Sequence, residues 1–489
     1  MKGSLTEIKV FFLAAEAVPF IKVGGLGDVA GALPLALRQI HHLDDKPVKL
    51  DIRVAIPYHP QIDQSYKNTP PTATFFIKSL NSNHRVRVYS ADVGGVVFYL
   101  IDAAIIDNAP VVYSQVTSED GIKFTLFSLA ALKLIETISW KPNILHVNDW
   151  HTALAAYLNV QPGSNRIPHS ILTLHNLPFM GAGTESSLAE FQIPPATTED
   201  LPIWGRSQPL PMGLSAVDRI IPVSLQYAQE IQTMKFGCGL NRFLKKNRQK
   251  ITGILNGIDT QVWDPLTDPL ISTNFGPVTL IAKQKNKIAL QNELNLPEDA
   301  DIPLLVLISR MDIQKGIDIA LQTLRGLAST RWQTVILGSG DPRLEKECLA
   351  LEKKYKKRVR SILKFDSDLS HRMYAGGDIL LMPSRYEPCG LSQLIAMRYG
   401  CIPVATATGG LKDTITNAPR KRKTGYLVRH PDVDLFSTGL SAAIQDFSDK
   451  IYWSEIRVNA MKADFSWGKS ALKYARVYSE LVQTKADEK

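Results

Sequence analysis

Residues 8–34 read IKVFFLAAEAVPFIKVGGLGDVAGALP. An apolar run opens the stretch, Lys22 closes it, and four glycines (Gly24, Gly25, Gly27 and Gly31) follow within ten residues before a helical period begins. A run that is apolar at nearly every position, rather than at every second one, suits a parallel strand buried on both faces. Glycines at the end of such a strand allow a tight turn into the next helix. The same order returns at residues 304–320, LLVLISRMDIQKGIDIA. Around these two anchors lie further strand candidates: IRVAIP, VVFYLID, NILHV, HSILTL and RIIPVS in the first half, ITGILN, WQTVILG, VRSILKF, DILLMPS and CIPVATA in the second. Helical stretches at 123–139, 226–233, 318–324 and 391–398 fall between them. The βαβ rhythm occurs twice and predicts an α/β protein of two doubly wound, Rossmann-like domains.

A polar, basic stretch meets a fresh apolar run at KKNRQKITGILNGID (residues 245–259), which sets the domains at 1–248 and 249–468. The last helical segment, placed at 469–489, carries an apolar face through Leu472, Tyr474, Val477, Tyr478 and Leu481 and suits packing on either domain.

The 489 residues are 45% hydrophobic and 21% charged, as in a globular chain with a sizeable core. No apolar run has the length of a membrane span, and the N-terminus lacks the pattern of a secretory signal. A cytoplasmic protein is expected, or a plastid one if a transit peptide has been removed. The four cysteines show no metal-type pairing and are too few for a disulfide framework, which fits a reducing compartment. The net charge of +9 comes from scattered residues, apart from PRKRK (419–423) and KKNRQK (245–250). No nucleic-acid recognition module accompanies them, so the excess reads as surface charge that suits an anionic small substrate.

Glycine loops at strand ends can bring backbone N–H groups to anionic oxygens. The pattern here is K-V-G-G-L-G-D-V, neither G-x-G-x-x-G nor a P-loop. Lys22 stands where its ammonium could meet a phosphate while Gly24 and Gly25 supply amides. Asp28 reads equally as a first-turn acid favoured by the helix dipole or as an acceptor for sugar hydroxyls. In the second half, Arg310 ends a strand and Lys315 precedes Gly316. A planar fork and a point charge at that spacing suit a diphosphate. In SRYEPCGLSQLIAMRYG, Glu387 sits in a turn held by Pro388 and Gly390, where a carboxylate could accept from sugar hydroxyls while the following amides face phosphate. TATGGLKDTI repeats the theme with Gly409 and Gly410.

The motifs KVGGL from Lys22, NDWHTAL from Asn148, LHN from Leu174, NGID from Asn256, SRMDIQKG from Ser309 and PSRYEPCGLSQL from Pro383 occur in one order. Together they resemble the bacterial glycogen synthases and plant starch synthases, retaining GT-B glycosyltransferases that use ADP-glucose. The resemblance runs from about residue 8 to residue 470. It implies two Rossmann-like domains across a cleft, the second holding the nucleotide, with the final helix crossing back to the first. It also implies site residues. Arg310 and Lys315 would hold the diphosphate, and Lys22, beside Gly24 and Gly25, the phosphates or the glucose. Glu387 would bind glucose hydroxyls within a wall formed by Cys389, Gly390, Leu391 and Gln393. Asp149 and His175 would face the sugar, and Asn256 and Asp28 would border the donor. Phe365, with Lys364 beside it, matches the position expected to pack on adenine; a Tyr is frequent there, and Phe keeps its stacking face.

The implied reaction moves glucose from ADP-glucose to the non-reducing end of an α-1,4-glucan with the α configuration kept. It needs no metal or other cofactor, because Arg310 and Lys315 can stabilise the departing ADP. Trp150 and His151 read either as packing beneath the glycine loop or as ligand contacts. His146 and His371 read as structural, and Cys389 as a small residue in a tight turn. Residues 206–231 depart from the family's pattern at Pro209, Met212 and Leu225, and FGCGLNRFL (236–244) lacks its usual acid. Two rival readings follow: a retaining transferase with another donor or acceptor, such as UDP-glucose and a small sugar, or a non-catalytic glucan-binding partner on the same fold. The presence together of Lys22, Arg310, Lys315 and Glu387 speaks against a dead scaffold.

Overall fold

The computed structural model describes residues 5–114 and 116–484. The described chain divides into two compact units. One comprises the residues through Gly257 together with those from Trp467 onward, and the other is Ile258–Ser466. Residues 249–257 therefore stay with the first unit, not with the second as the sequence reading places them. The apolar run ITGILN does not make a full strand. It follows the edge of the short strand Arg219–Pro222 through Thr252 N–H to Ile220 O (3.0 Å) and Ile254 N–H to Pro222 O (2.9 Å), forming a single bridge, Ile220 with Ile251.

The first unit holds strands β1 (Thr6–Leu13), β2 (His42–Leu43), β3 (Lys46–Pro57), β4 (Ala73–Lys78), β5 (Asn83–Val93), β6 (Val96–Ala103), β7 (Ile144–Asn148), β8 (His169–Leu174) and β9 (Arg219–Pro222). Their order is β4-β5-β6-β3-β1-β7-β8-β9, with β2 on β3. The six strands from β6 to β9 in that order pair in parallel, β2 pairs antiparallel with β3, and β4, β5 and β6 form an antiparallel meander. From Val10 to Leu13, where Phe12 pairs with Val54 on one side and His146 on the other, β1 is buried throughout, as is all of β7. This is why β1 reads as a continuous apolar run, whereas β4 alternates buried and exposed positions.

The final helix, Trp467–Thr484, belongs to the first unit's core through Trp467, Ala471, Tyr474, Val477, Tyr478 and Leu481. Leu472, expected on that face, is exposed instead. The helix is pinned by a buried histidine. His146 Nδ1 lies 2.7 Å from Tyr478 Oη, and its Nε2 lies 2.7 Å from Thr173 Oγ1. Burial holds the His146 imidazole well below its usual pKa, hence neutral.

The second unit holds β10 (Leu304–Ile308), β11 (Gln333–Leu337), β12 (Val359–Ile362), β13 (Ile379–Met382), β14 (Ile402–Thr406) and β15 (Tyr426–Val428), all parallel, in the order β12-β11-β10-β13-β14-β15. Counted along its own strands, each unit's parallel sheet runs 3-2-1-4-5-6, the dinucleotide-fold order. Ligands bind such sheets beyond the strands' carboxyl ends, where the order reverses. The reversal falls between β1 and β7 in the first unit and between β10 and β13 in the second.

Candidate active site

In the second unit, the loops leaving β10 and β13 meet at the reversal point. The first carries Arg310 and Lys315, the second Glu387. Asp312 caps the short turn Ile313–Lys315 by accepting from Lys315 N–H (3.0 Å), and Gly316 follows with φ 69°. A Cβ on Gly316 would stand 2.0 Å from Pro383 O, so a side chain there would prise the two loops apart. The loops are also cross-bonded. Arg385 N–H donates to Gln314 O (2.8 Å), and Gln314 Nε2 donates to Tyr386 O (3.0 Å). The Arg385 guanidinium grips both oxygens of Asp318 at 2.7 Å.

This bracing sets two side chains face to face. Lys315 Nζ donates to Glu387 Oε1 (2.9 Å) and Oε2 (2.7 Å), and Ser384 Oγ donates to Oε2 (3.1 Å). Glu387 is buried, whereas the Arg310 side chain is 63% exposed, with Asp312 3.1 Å away. Behind Glu387 the backbone is crowded. A Cβ on Gly409 would lie 2.0 Å from Glu387 O, and one on Gly410 2.1 Å from Cys389 O. Gly410 N–H donates to Glu387 O (3.1 Å), so the TGG motif supports the Glu387 turn from beneath.

Gln393, assigned to the donor from the resemblance, lies wholly buried below that turn. Its Nε2 donates to Cys389 O and Gly390 O, both at 2.9 Å, so its amide holds the Cys389–Gly390 backbone. Cys389 is buried and Leu391 precedes the helix Ser392–Arg398. Lys364 and Phe365 follow β12, two strands from the reversal. Phe365 is 77% exposed and Lys364 pairs with Asp366 at 2.9 Å.

In the first unit, Lys22 Nζ pairs with Asp28 at 2.8 Å, both partly exposed. The amide of Gly24 does not face outward as expected. It donates to the Glu16 carboxylate at 3.0 and 3.2 Å, as does Val23 N–H, and Tyr113 Oη donates to the same group at 2.9 Å. Gly25 begins the helix Gly25–Arg38. Sequence reasoning missed Glu16, although an acid inside an apolar run is a signal that a buried partner awaits it.

At the other side of the reversal, Asp149 adopts φ 52°, an uncommon conformation for a residue with a side chain. Its carboxylate turns inward and accepts from His175 N–H (2.7 Å) and Asn176 N–H (3.2 Å). Burial nevertheless pushes its pKa up to about 7. His175 Nε2 lies 3.0 Å from Asn148 Oδ1, and burial lowers the imidazole to about 3, so it is neutral. Asp149 and His175 are thus brought together, but the acid engages the backbone of the histidine loop. Asn256 is buried near the end of the first unit's long segment, with its Oδ1 unpartnered among the described residues. Trp150 and His151 pack as an aromatic cluster with Tyr113 and Phe124, His151 at 4.7 Å from the Phe124 ring.

Comparison with known proteins follows the same division. Residues 9–246 match the family described as starch synthase catalytic domain, and residues 289–456 match glycosyl transferases group 1. Among curated proteins the chain is similar to the glycogen synthases of Dechloromonas aromatica (35% identity, covering 99% of this chain and 100% of that one) and Clostridium perfringens (36%, 97% and 99%). Among solved structures it is similar to the catalytic domain of starch synthase IV from Arabidopsis thaliana bound to ADP and acarbose. That similarity has 30% identity and a TM-score of 0.88, and it covers 98% of this chain and all of the other.

Proposed function

The chain belongs to the glycogen and starch synthase family and is a glycosyltransferase of that type; from that premise we propose that its donor is ADP-glucose and that it extends an α-1,4-glucan with the α configuration kept. The observation that carries this reading is the Lys315–Glu387 pair at the reversal point of the second unit, with the exposed Arg310 on the same loop. The ADP in the related Arabidopsis structure supports an adenine nucleotide.

In the proposed cycle, the incoming diphosphate draws the Lys315 ammonium, and Arg310 supplies a planar fork to the same group. Glu387 then turns its carboxylate to the glucose hydroxyls. As the bond from the anomeric carbon to the diphosphate breaks, negative charge grows on the departing oxygen, where the two cations stabilise it. Positive charge grows on the sugar, which favours a nearby carboxylate or carbonyl. The acceptor hydroxyl arrives on the face the diphosphate leaves and passes its proton to the departing diphosphate oxygen as its own oxygen bonds the anomeric carbon. Lys22 of the first unit is proposed as a further cation for this donor, and Phe365 as the ring beneath adenine. The charge demand is met by side chains, and a metal ion is not required in this scheme.

The test is transfer of labelled glucose to glycogen from ADP-glucose and, separately, from UDP-glucose. Polymer labelled from ADP-glucose supports the proposal. Labelling from UDP-glucose alone would reassign the donor. Retention of glycogen on an affinity gel with no labelling from either would favour a glucan-binding role.

A further inference from the structure

Glu16 is a carboxylate with 1% of its surface exposed, in a stretch that is otherwise apolar, and the reaction just described gives it no part. It lies beneath the glycine loop. Val23 N–H, Gly24 N–H (3.0 Å) and Tyr113 Oη (2.9 Å) all donate to it. The loop's glycines are what admit it. A Cβ on Gly24 would stand 3.3 Å from Glu16 Oε1, and one on Gly27 would stand 3.0 Å from Oε2 and 3.3 Å from Lys22 Cα. A desolvated carboxylate is costly unless donors answer it, and here two backbone N–H groups and one hydroxyl do. Burial holds its pKa above the ordinary carboxylate value, and those N–H bonds offset only part of the rise.

We propose that the Val23–Gly24 turn, with Gly27 beside it, is a socket for the Glu16 carboxylate, and that Glu16 is a positioning residue fixing the backbone from which Lys22 acts. This rests on the role proposed for Lys22 above. The amides of Val23 and Gly24 are committed to Glu16, and Lys22 stands directly before them in the chain. Two acids then divide the work. Glu16 holds the main chain from inside, and Asp28, 2.8 Å from Lys22 Nζ, holds the tip of the side chain.

A double-mutant cycle on the full chain tests this, with Lys22→Ala, Glu16→Gln and their combination assayed for transfer from ADP-glucose to glycogen, beside thermal unfolding. Glutamine keeps the shape of the side chain but turns an NH₂ toward donors. Glu16→Gln is expected to lower kcat by about tenfold or more with the KM for glycogen unchanged. In the Lys22→Ala background it should lower kcat no further, although the melting temperature falls equally in both backgrounds. Additive losses in kcat would overturn the positioning role and leave Glu16 a packing residue. Wild-type kinetics for Lys22→Ala alone would instead remove the role of Lys22, and this inference with it. If Glu16→Gln does not fold, Gly27→Ala presses on the same carboxylate from the loop side and must show the same loss of effect without Lys22.

Discussion

Lys315 Nζ bonds both carboxylate oxygens of Glu387, at 2.9 and 2.7 Å, across two loops that leave non-consecutive strands. The residue assigned to a diphosphate and the residue assigned to a sugar are, in this structure, each other's partner. Glu387 is buried and the Lys315 side chain is 21% exposed, so removing the lysine strands a carboxylate. Lys315→Ala is expected to lose about 1–3 kcal/mol of stability, the solvent exposure keeping the loss below that of a fully buried pair. Its kcat should fall by about 10²–10³, as for loss of one charge-stabilising group. Combining it with Glu387→Gln should return much of the stability and none of the activity. Denaturant unfolding and glucose transfer, run side by side, check both.

Phe365 offers an exposed ring to the carboxyl-end side of the second sheet. Replacing it with Ala should raise the KM for ADP-glucose by about tenfold, the size of a base-stacking contribution of about 1–3 kcal/mol, with kcat little changed. Phe365→Tyr should match the wild type. An unaltered KM in the alanine variant would detach the ring from the nucleotide.

The pKa of Asp149, about 7 against an ordinary 3.8, ties stability to pH. The folded protein binds this proton more tightly than the unfolded chain, so the contribution is full below about pH 4 and is lost as pH rises to about 7. His175 (about 3) and His59 (about 4), the latter buried with its Nε2 2.9 Å from Ala15 O, work in the opposite sense. The unfolded chain protonates them first, and their contribution is lost as pH falls below about 6.5. Asp149→Asn should therefore cancel a decline between pH 4 and 7 while leaving the acid limb in place. Melting temperature against pH for the two proteins gives the difference directly.

If Arg310 and Lys315 carry the charge of the departing nucleotide, exhaustive treatment with EDTA should leave the transfer rate within about twofold of its starting value, and added Mg²⁺ should not raise it. A metal-dependent rate would require a further group beside the diphosphate.

Tyr478→Phe should cost about 1–3 kcal/mol, because it leaves His146 Nδ1 buried with no partner in place of the 2.7 Å bond. Calorimetry compared with Tyr474→Phe, whose hydroxyl lies at the longer 3.3 Å from Thr173, checks that the loss follows the histidine.

The parallel strands and both reversal-point loops are legible in the sequence because burial on two faces writes a continuous apolar run, and charge beside glycine then marks the ligand end. Lys22, Arg310, Lys315 and Glu387 all stand out this way. The β4–β5 hairpin is harder to see, since its strands alternate faces and Arg85, Arg87 and His84 break the apolar signal. The directions of polar groups are not written in the sequence at all. Glycines that admit a phosphate and glycines that admit a carboxylate look alike, so the amide of Gly24 reads as a ligand donor until Glu16 is found beneath it. Asp149 and Gln393 likewise turn their polar ends toward nearby backbone, a choice made by neighbours brought close only by folding.

The attachment of Trp467–Thr484 to the first unit has a consequence for biosynthesis. A ribosome completes the whole of Ile258–Ser466 before it delivers Tyr474 and Tyr478, so the older part of the chain waits, with His146 lacking its Tyr478 partner, for a segment made after that insertion. Nascent chains stalled short of residue 467 should leave that half vulnerable to protease while the younger half already resists it.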